Sequence, residues 1–356
     1  MHRVALELVA EALSLDKIRA VAAANLAAIV AAKFWGSYDT LLADLDGVIY
    51  EGKHAIVDAV ESINSISGDG IPVGYVTNNS SRKPETIAEQ LVGFGLKVKP
   101  DEIIGSALTG AELLSSLIPK GSKVLVVGGE GLRSRVNEFG FQVVNSADDQ
   151  PAGVIQGFAP DVAWKHLAEA AFAIQNGAKW VATNSDWTLP QDRGLAPGNG
   201  TLVSAVHTAV GQLPVVAGKP EPAIFYTALK HFGSASALFV GDRIDTDIVG
   251  ANRAGIDSAL VMTGVSTRKE LLGIDPSGRP KYILATLADL LKPYSSPKAI
   301  KRGFECDGAE VELLGNKVLV THGDPQSIGA LKAACAVIWG SGQPIYALEV
   351  EPSLYE

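Results

Sequence analysis

Residues 40–48 read Thr40-Leu41-Leu42-Ala43-Asp44-Leu45-Asp46-Gly47-Val48. A short run ends abruptly on two carboxylates spaced two apart, and a glycine follows. An apolar run without alternation suits a strand covered on both faces. The same arrangement recurs down the chain. Val73-Gly74-Tyr75-Val76 precedes Thr77, Val215-Val216-Ala217 shortly precedes Lys219, and Ala237-Leu238-Phe239-Val240 shortly precedes Asp242. Ala259-Leu260-Val261-Met262 reads as a fifth run. Helix-like stretches at 55–65, 85–94, 222–231 and 245–254 separate them. Strand and helix in alternation predict an α/β fold with a parallel sheet and helices on both faces. Ligands of such sheets bind beyond the carboxyl ends of the strands. All four polar positions fall there.

The alternation is interrupted between 115 and 207 by further runs at 124–127, 153–155 and 180–182, with helical patterns at 132–139 and 162–175. This predicts an α/β module inserted into a core made of 38–114 and 208–292. A third, smaller α/β unit is expected over 300–356. It would comprise a hairpin over 310–321 turning at Gly315-Asn316, a helix over 325–339 and a strand over 345–348. Residues 1–37 read as an Ala-rich helical extension. Their apolar stretch is too short to span a bilayer. Glu7, Glu11 and Asp16 stand where a signal peptide would be basic.

Composition narrows the class of function. The chain has 356 residues and a net charge of −9 with no basic block, which argues against a nucleic-acid binder. Its two cysteines, Cys306 and Cys335, exclude a disulfide scaffold or a multi-cysteine zinc site and fit a reducing cytoplasm. No membrane association is expected.

Each strand-end motif has a plain reading beside a chemical one. Asp44-x-Asp46 serves equally as a turn or as a nucleophile with a proton shuttle. Thr77-Asn78-Asn79-Ser80 is a helix cap or a cradle for phosphoryl oxygens. Lys219 is a surface lysine or a counter-charge for a phosphoryl group, and its surroundings do not form a P-loop. Gly241-Asp242-Arg243-Ile244-Asp245-Thr246-Asp247 is a capped helix start or a site for a hard divalent cation. Gly129-Glu130-Gly131-Leu132-Arg133-Ser134 nearly matches a dinucleotide fingerprint but fails at Ser134, so it reads as a strand-to-helix turn. The six histidines show no metal-ligand spacing, and His166 and His207 read as surface or packing residues.

Taken together, Asp44-x-Asp46-Gly47, Thr77-Asn78-Asn79, Lys219 and Gly241-Asp242-x4-Asp247 resemble the four motifs of the haloacid dehalogenase (HAD) superfamily. The resemblance covers about 38–292. The insert resembles a C2-type cap. Thr183-Asn184-Ser185-Asp186 and Pro197-Gly198-Asn199-Gly200 are similar to the subfamily IIA phosphatases. The segment after 300 is similar to the C-terminal extension of actinobacterial glycerol-3-phosphate phosphatases.

The resemblance implies a HAD Rossmann-like core and a Mg²⁺-dependent phosphatase working through an aspartyl-phosphate. Asp44 would be nucleophile and Mg²⁺ ligand. Asp46 would be the acid/base and would give its main-chain carbonyl to the metal; transport ATPases of the superfamily carry Thr there. Thr77 and Asn78 would hold the phosphoryl group, with Lys219 as its counter-charge. Asp242 would complete the metal ligands and Asp247 would orient them. Asn184, Asp186, Trp187 and Arg193 are candidates for substrate selection in the cap. Glycerol 3-phosphate and phosphoglycolate lead as substrates, and a cap-mediated homodimer would suit the family. The alternative is a phosphometabolite sensor on the same scaffold, acting through 300–356.

Overall fold

Thr40–Ala43 forms a strand buried at every position. It lies at the centre of a six-stranded sheet because its neighbours on both sides are equally apolar. In order the strands are Tyr282–Leu284, Asp257–Val261, Ala237–Gly241, Thr40–Ala43, Val73–Thr77 and Ile103–Gly105. All pairings are parallel. Register sets the site: Ala43 lies opposite both Val240 and Tyr75, so Asp44, Asp242 and Thr77 emerge at one edge. The computed structural model describes residues 34–191 and 193–356, so positions 1–33 of the helical extension expected over 1–37 lie outside the described residues, and its end, Phe34–Ser37, is a 3₁₀ turn.

A second parallel sheet runs Val215–Val216, Lys179–Ala182, Gly153–Gln156, Lys123–Val127, Gln142–Val144. One expectation is corrected here. The run 215–217 was expected in the core sheet, but Val215 and Val216 pair with Val181 and Ala182 as an edge strand of the second sheet. An apolar run shows burial but not which of two sheets provides it. At the other end, Ala107 and Leu114 of the helix Ser106–Leu117 pack with Val124, Val126 and Ile155 of the second sheet. We propose 106–216 rather than 115–207 as the inserted unit.

The C-terminal unit contains the expected hairpin, Ala309–Leu314 with Lys317–His322, and the expected helix, Ile328–Gly340. Strands at Lys298–Ile300 and Gly303–Cys306 extend its sheet. The strand expected over 345–348 is instead a 3₁₀ turn, Ile345–Ala347, which Pro344 initiates by accepting the Ala347 N–H. Strand pairing begins only at Glu349–Val350.

This unit shares one apolar cluster with the core sheet's flank. Leu331, Ala334 and Ile338 pack with Ile244, Ile248, Leu271 and Leu272. Arg268 also donates to the carbonyls of Gln326 and Ser327. Deleting 298–356 would re-expose those four core side chains at roughly 1.5–3 kcal/mol each. That rivals the whole stability of an ordinary domain, about 5–15 kcal/mol. The truncated chain is expected to melt at least ~10 °C lower or to aggregate, as thermal denaturation would show. An unchanged melting temperature would contradict this packing.

Candidate active site

Lys219 organises the edge where the strands end. It is 2% exposed, and its Nζ lies 2.7 Å from Asp44 Oδ1 and 2.8 Å from Asp247 Oδ1. Nζ also donates to the Val76 carbonyl at 3.2 Å. Burial works against the ammonium, but the fields of Asp247 and Asp44 outweigh it and hold the lysine charged well above its usual range.

Asp247 sits on a single π-type turn, Ile244–Ile248, where the expected helix begins. Its other oxygen accepts the N–H groups of Asp242 and Arg243 at 3.2 and 3.1 Å. Asp247 is thus fully committed to orienting its neighbours. Asp242 Oδ2 accepts the Val265 N–H at 2.7 Å, whereas its buried Oδ1 has no partner. Carboxyl oxygens of Asp44, Asp242 and Asp247 lie within 4.8 Å of one another. Three carboxylates against one lysine leave an excess of negative charge. Desolvation, then repulsion from Asp247, pushes Asp242 up to about 6. Desolvation raises Asp44 well above its ordinary value, with Lys219 opposing and Asp247 and Asp242 adding to the shift. A divalent cation would balance the cluster and give the orphaned Asp242 oxygen a partner. The residues therefore fit Mg²⁺, a hard ion that takes a few carboxylates and keeps waters.

Asp46 stands outside this cluster. Its side chain opens onto the cavity, accepts the Tyr50 hydroxyl at 3.2 Å, and is raised above the usual carboxylate range by partial desolvation. The turn that presents it needs Gly47, at φ +78°. A Cβ there would fall 2.3 Å from Asp242 Oδ2, and one on Gly264 would fall 2.0 Å from the same atom. Gly47→Ala is therefore expected to displace Asp242. It should lower kcat by ~10²-fold, as a misplacement of about 1 Å can. A Mg²⁺ titration of activity would show whether the half-saturating concentration rises with it.

Asn78 ties the two sheets together. Its Oδ1 accepts the Lys219 N–H at 2.8 Å, and its Nδ2 donates to the Lys219 carbonyl at 3.1 Å. The same amide reaches Asp186 of the insert, at 3.0 and 3.3 Å from the two carboxyl oxygens. The Asn78 carbonyl accepts from Ser106 and from Asn184 Nδ2. Asn184 is thus a buried strut, itself held by Asn199. Ser80 and Thr183 add a buried hydroxyl pair.

The cavity between core and insert encloses about 580 Å³. Asp44, Asp46, Thr77, Asn78, Lys219 and Asp242 line it, with Asn184 and Asp186 from the insert. Trp187 and Arg193 are exposed and do not line it. Sequence reasoning missed Tyr50, Phe158, Thr188, Leu189 and Pro190 of the insert's strand Thr188–Gln191, which pairs antiparallel with Gly194–Pro197, and Thr263-Gly264-Val265. The last group follows the strand Asp257–Val261, so the rule that sites gather at strand ends could have found it.

Comparison with known proteins agrees with this geometry. A family model described as haloacid dehalogenase-like hydrolase matches residues 41–142, and a HAD-hydrolase-like model matches 216–290. The D-glycerol 3-phosphate phosphatase of Mycobacterium tuberculosis is 42% identical over 246 residues, 69% of each chain. The acid sugar phosphatase of Staphylococcus aureus is 37% identical over 259 residues, 72% of this chain and 99% of its own. A crystal structure of the M. tuberculosis glycerol phosphate phosphatase with magnesium superposes with a TM-score of 0.78 at 36% identity. That superposition covers 91% of this chain and 94% of the other, which reaches into the unit after residue 297. No helix among the described residues is long and apolar enough to cross a membrane. The motifs, the parallel core and these relatives agree: the chain belongs to the haloacid dehalogenase-like hydrolases, among their cap-bearing phosphatases.

Proposed function

We propose that the protein hydrolyses the phosphate monoester of a small metabolite through a phosphorylated Asp44. The observation that carries this is the buried Asp44–Lys219–Asp247 bridge set beside Asp46. Asp44 attacks phosphorus, the bond to the substrate's ester oxygen breaks, and that oxygen leaves with a proton from Asp46. An alkoxide leaving group needs that proton, and the raised Asp46 carboxyl is suited to hold it. Asp46 then takes a proton from water as the water oxygen bonds to phosphorus and the bond to Asp44 breaks. Inorganic phosphate departs and Asp46 is protonated again.

Thr77 Oγ1 accepts the Asn79 N–H, which leaves its own proton for a phosphoryl oxygen. The Asn78 main chain lies alongside. Lys219 opposes charge on the transferring group from a fixed position. Mg²⁺, held by Asp44, Asp242 and the Asp46 carbonyl, would neutralise the phosphoryl oxygens. Asp247 orients this set. A purely sensing protein has no use for Asp46 as a proton carrier.

Glycerol 3-phosphate and phosphoglycolate are the leading substrates, and sugar phosphates follow; the relatives named above support glycerol 3-phosphate and the sugar phosphates, and phosphoglycolate rests on the motif resemblance alone. We also place the protein in the cytoplasm, where its two buried free cysteines stay reduced. The exposed edge strand at Val215, with Leu213 beside it, offers a homodimer contact. The test is phosphate release from glycerol 3-phosphate, phosphoglycolate, pyridoxal phosphate, nucleotides and sugar phosphates. At least one is expected to respond to Mg²⁺ by ~10²-fold or more. No Mg²⁺-dependent release from any of them would refute the proposal.

A further inference from the structure

The carboxylate that must move a proton is the least anchored of those at the core's strand ends. Lys219 holds Asp44 and Asp247, and the Val265 N–H holds Asp242. Asp46 is exposed and lines the cavity. Among the described residues its carboxylate has one hydrogen-bond partner, the Tyr50 hydroxyl on Oδ2 at 3.2 Å. An exposed aspartate without such a partner turns freely between its rotamers.

Tyr50, by contrast, is fixed. It is buried, and its ring rests against Phe94 with centroids 5.6 Å apart. The main chain closes the turn beneath it. The Gly47 N–H donates to the Tyr50 carbonyl at 2.9 Å, and the Tyr50 N–H donates to the Leu45 carbonyl at 3.3 Å. Tyr50 then pairs with Ala55 in a two-stranded ribbon. The phenol therefore reaches Asp46 from a rigid base. Tyr50 does not line the cavity, so it acts on a substrate only through Asp46. With a donor on Oδ2, the other oxygen, Oδ1, is left to carry the transferable proton.

We infer that Tyr50 is a positioning residue whose hydroxyl locks the Asp46 carboxyl with Oδ1 as the working oxygen. Oδ1 gives its proton to the ester oxygen as the bond from that oxygen to phosphorus breaks. It takes a proton back from water as the water oxygen bonds to phosphorus and the bond to Asp44 breaks. This rests on the phosphatase reading and goes beyond it by assigning a residue that never meets the substrate. It also carries a signature. An alkoxide leaves only with a proton, whereas nitrophenolate leaves without one, so the hydroxyl should matter for the first and not the second.

The test compares benzyl phosphate with 4-nitrophenyl phosphate, two esters of similar size and opposite need for the proton. With Mg²⁺ present, kcat/KM reads the steps up to release of the alcohol. In Tyr50→Phe, which keeps the ring against Phe94, kcat/KM should fall about 10-fold for benzyl phosphate, the scale of a misplaced catalytic group. For 4-nitrophenyl phosphate it should change by less than about 2-fold. Adding Tyr50→Phe to Asp46→Asn should lower kcat/KM for benzyl phosphate no further, because the group it positions is already gone. Equal losses on both esters, with or without a fall in melting temperature, would make Tyr50 merely structural and overturn the inference. Unchanged kcat/KM on both esters would overturn it too, as would a further loss in the double variant. No Mg²⁺-dependent release from either ester by the wild type would overturn the phosphatase reading as well.

Discussion

Asp44→Asn is expected to abolish Mg²⁺-dependent phosphate release, by ~10⁴-fold or more, while the protein stays folded. Loss of a nucleophile removes the step itself, and such losses are among the largest seen in enzymes. The fold should survive because the carboxylate is held against its own electrostatics. It is desolvated and lies near Asp242 and Asp247, with Lys219 as the relieving partner. Asparagine keeps the shape, removes a charge from a crowded cluster, and leaves Lys219 paired to Asp247. Circular dichroism and thermal melting should match the wild type closely. Full activity in this variant would refute Asp44 as nucleophile.

Lys219→Met should damage both chemistry and stability. The ammonium bridges two buried carboxylates, and removing it leaves Asp44 and Asp247 facing one another without compensation. Breaking a buried pair in this way typically costs about 3–5 kcal/mol. Loss of a fixed counter-charge at a transferring group is expected to lower kcat by ~10²–10³-fold. The melting temperature should therefore fall markedly without metal and recover in part when Mg²⁺ is added. Lys219→Arg should rescue little, because the planar, forked guanidinium does not fit where a compact ammonium points at Asp44, Asp247 and the Val76 carbonyl. Unchanged melting with and without Mg²⁺ would contradict the bridging role.

The core was legible because each strand-end residue announced itself by contrast. Asp44 and Asp242 interrupt apolar runs that burial requires, and the register of Ala43 against Val240 carries them to one place. Lys219 was legible as a charge but not as a neighbour. The run before it belongs to the second sheet, and the lysine reaches the site only because Asn78 clasps its main chain on both sides. That clasp depends on residues 141 positions apart, and no local pattern encodes it. The insert's contribution was read least well. Asn184 and Asp186 reach the cavity edge, whereas Trp187 turns to solvent only a residue later. Proximity in sequence to a motif does not fix which way a loop side chain faces. The C-terminal unit was legible as a separate pattern of strands and helix, but its union with Ile244 and Ile248 was not. Apolar residues on either side of Asp247 carry no mark of their partner.

The most direct measurement uses Asp46→Asn with 4-nitrophenyl phosphate and Mg²⁺, followed by acid quench and peptide mapping. Nitrophenolate leaves without a proton, so phosphorylation of Asp44 should proceed while its hydrolysis stalls for want of a base. The account predicts a burst of about one nitrophenolate per chain and a phosphoryl group on the peptide containing Asp44. Steady turnover with no burst and no phosphorylated Asp44 would contradict it.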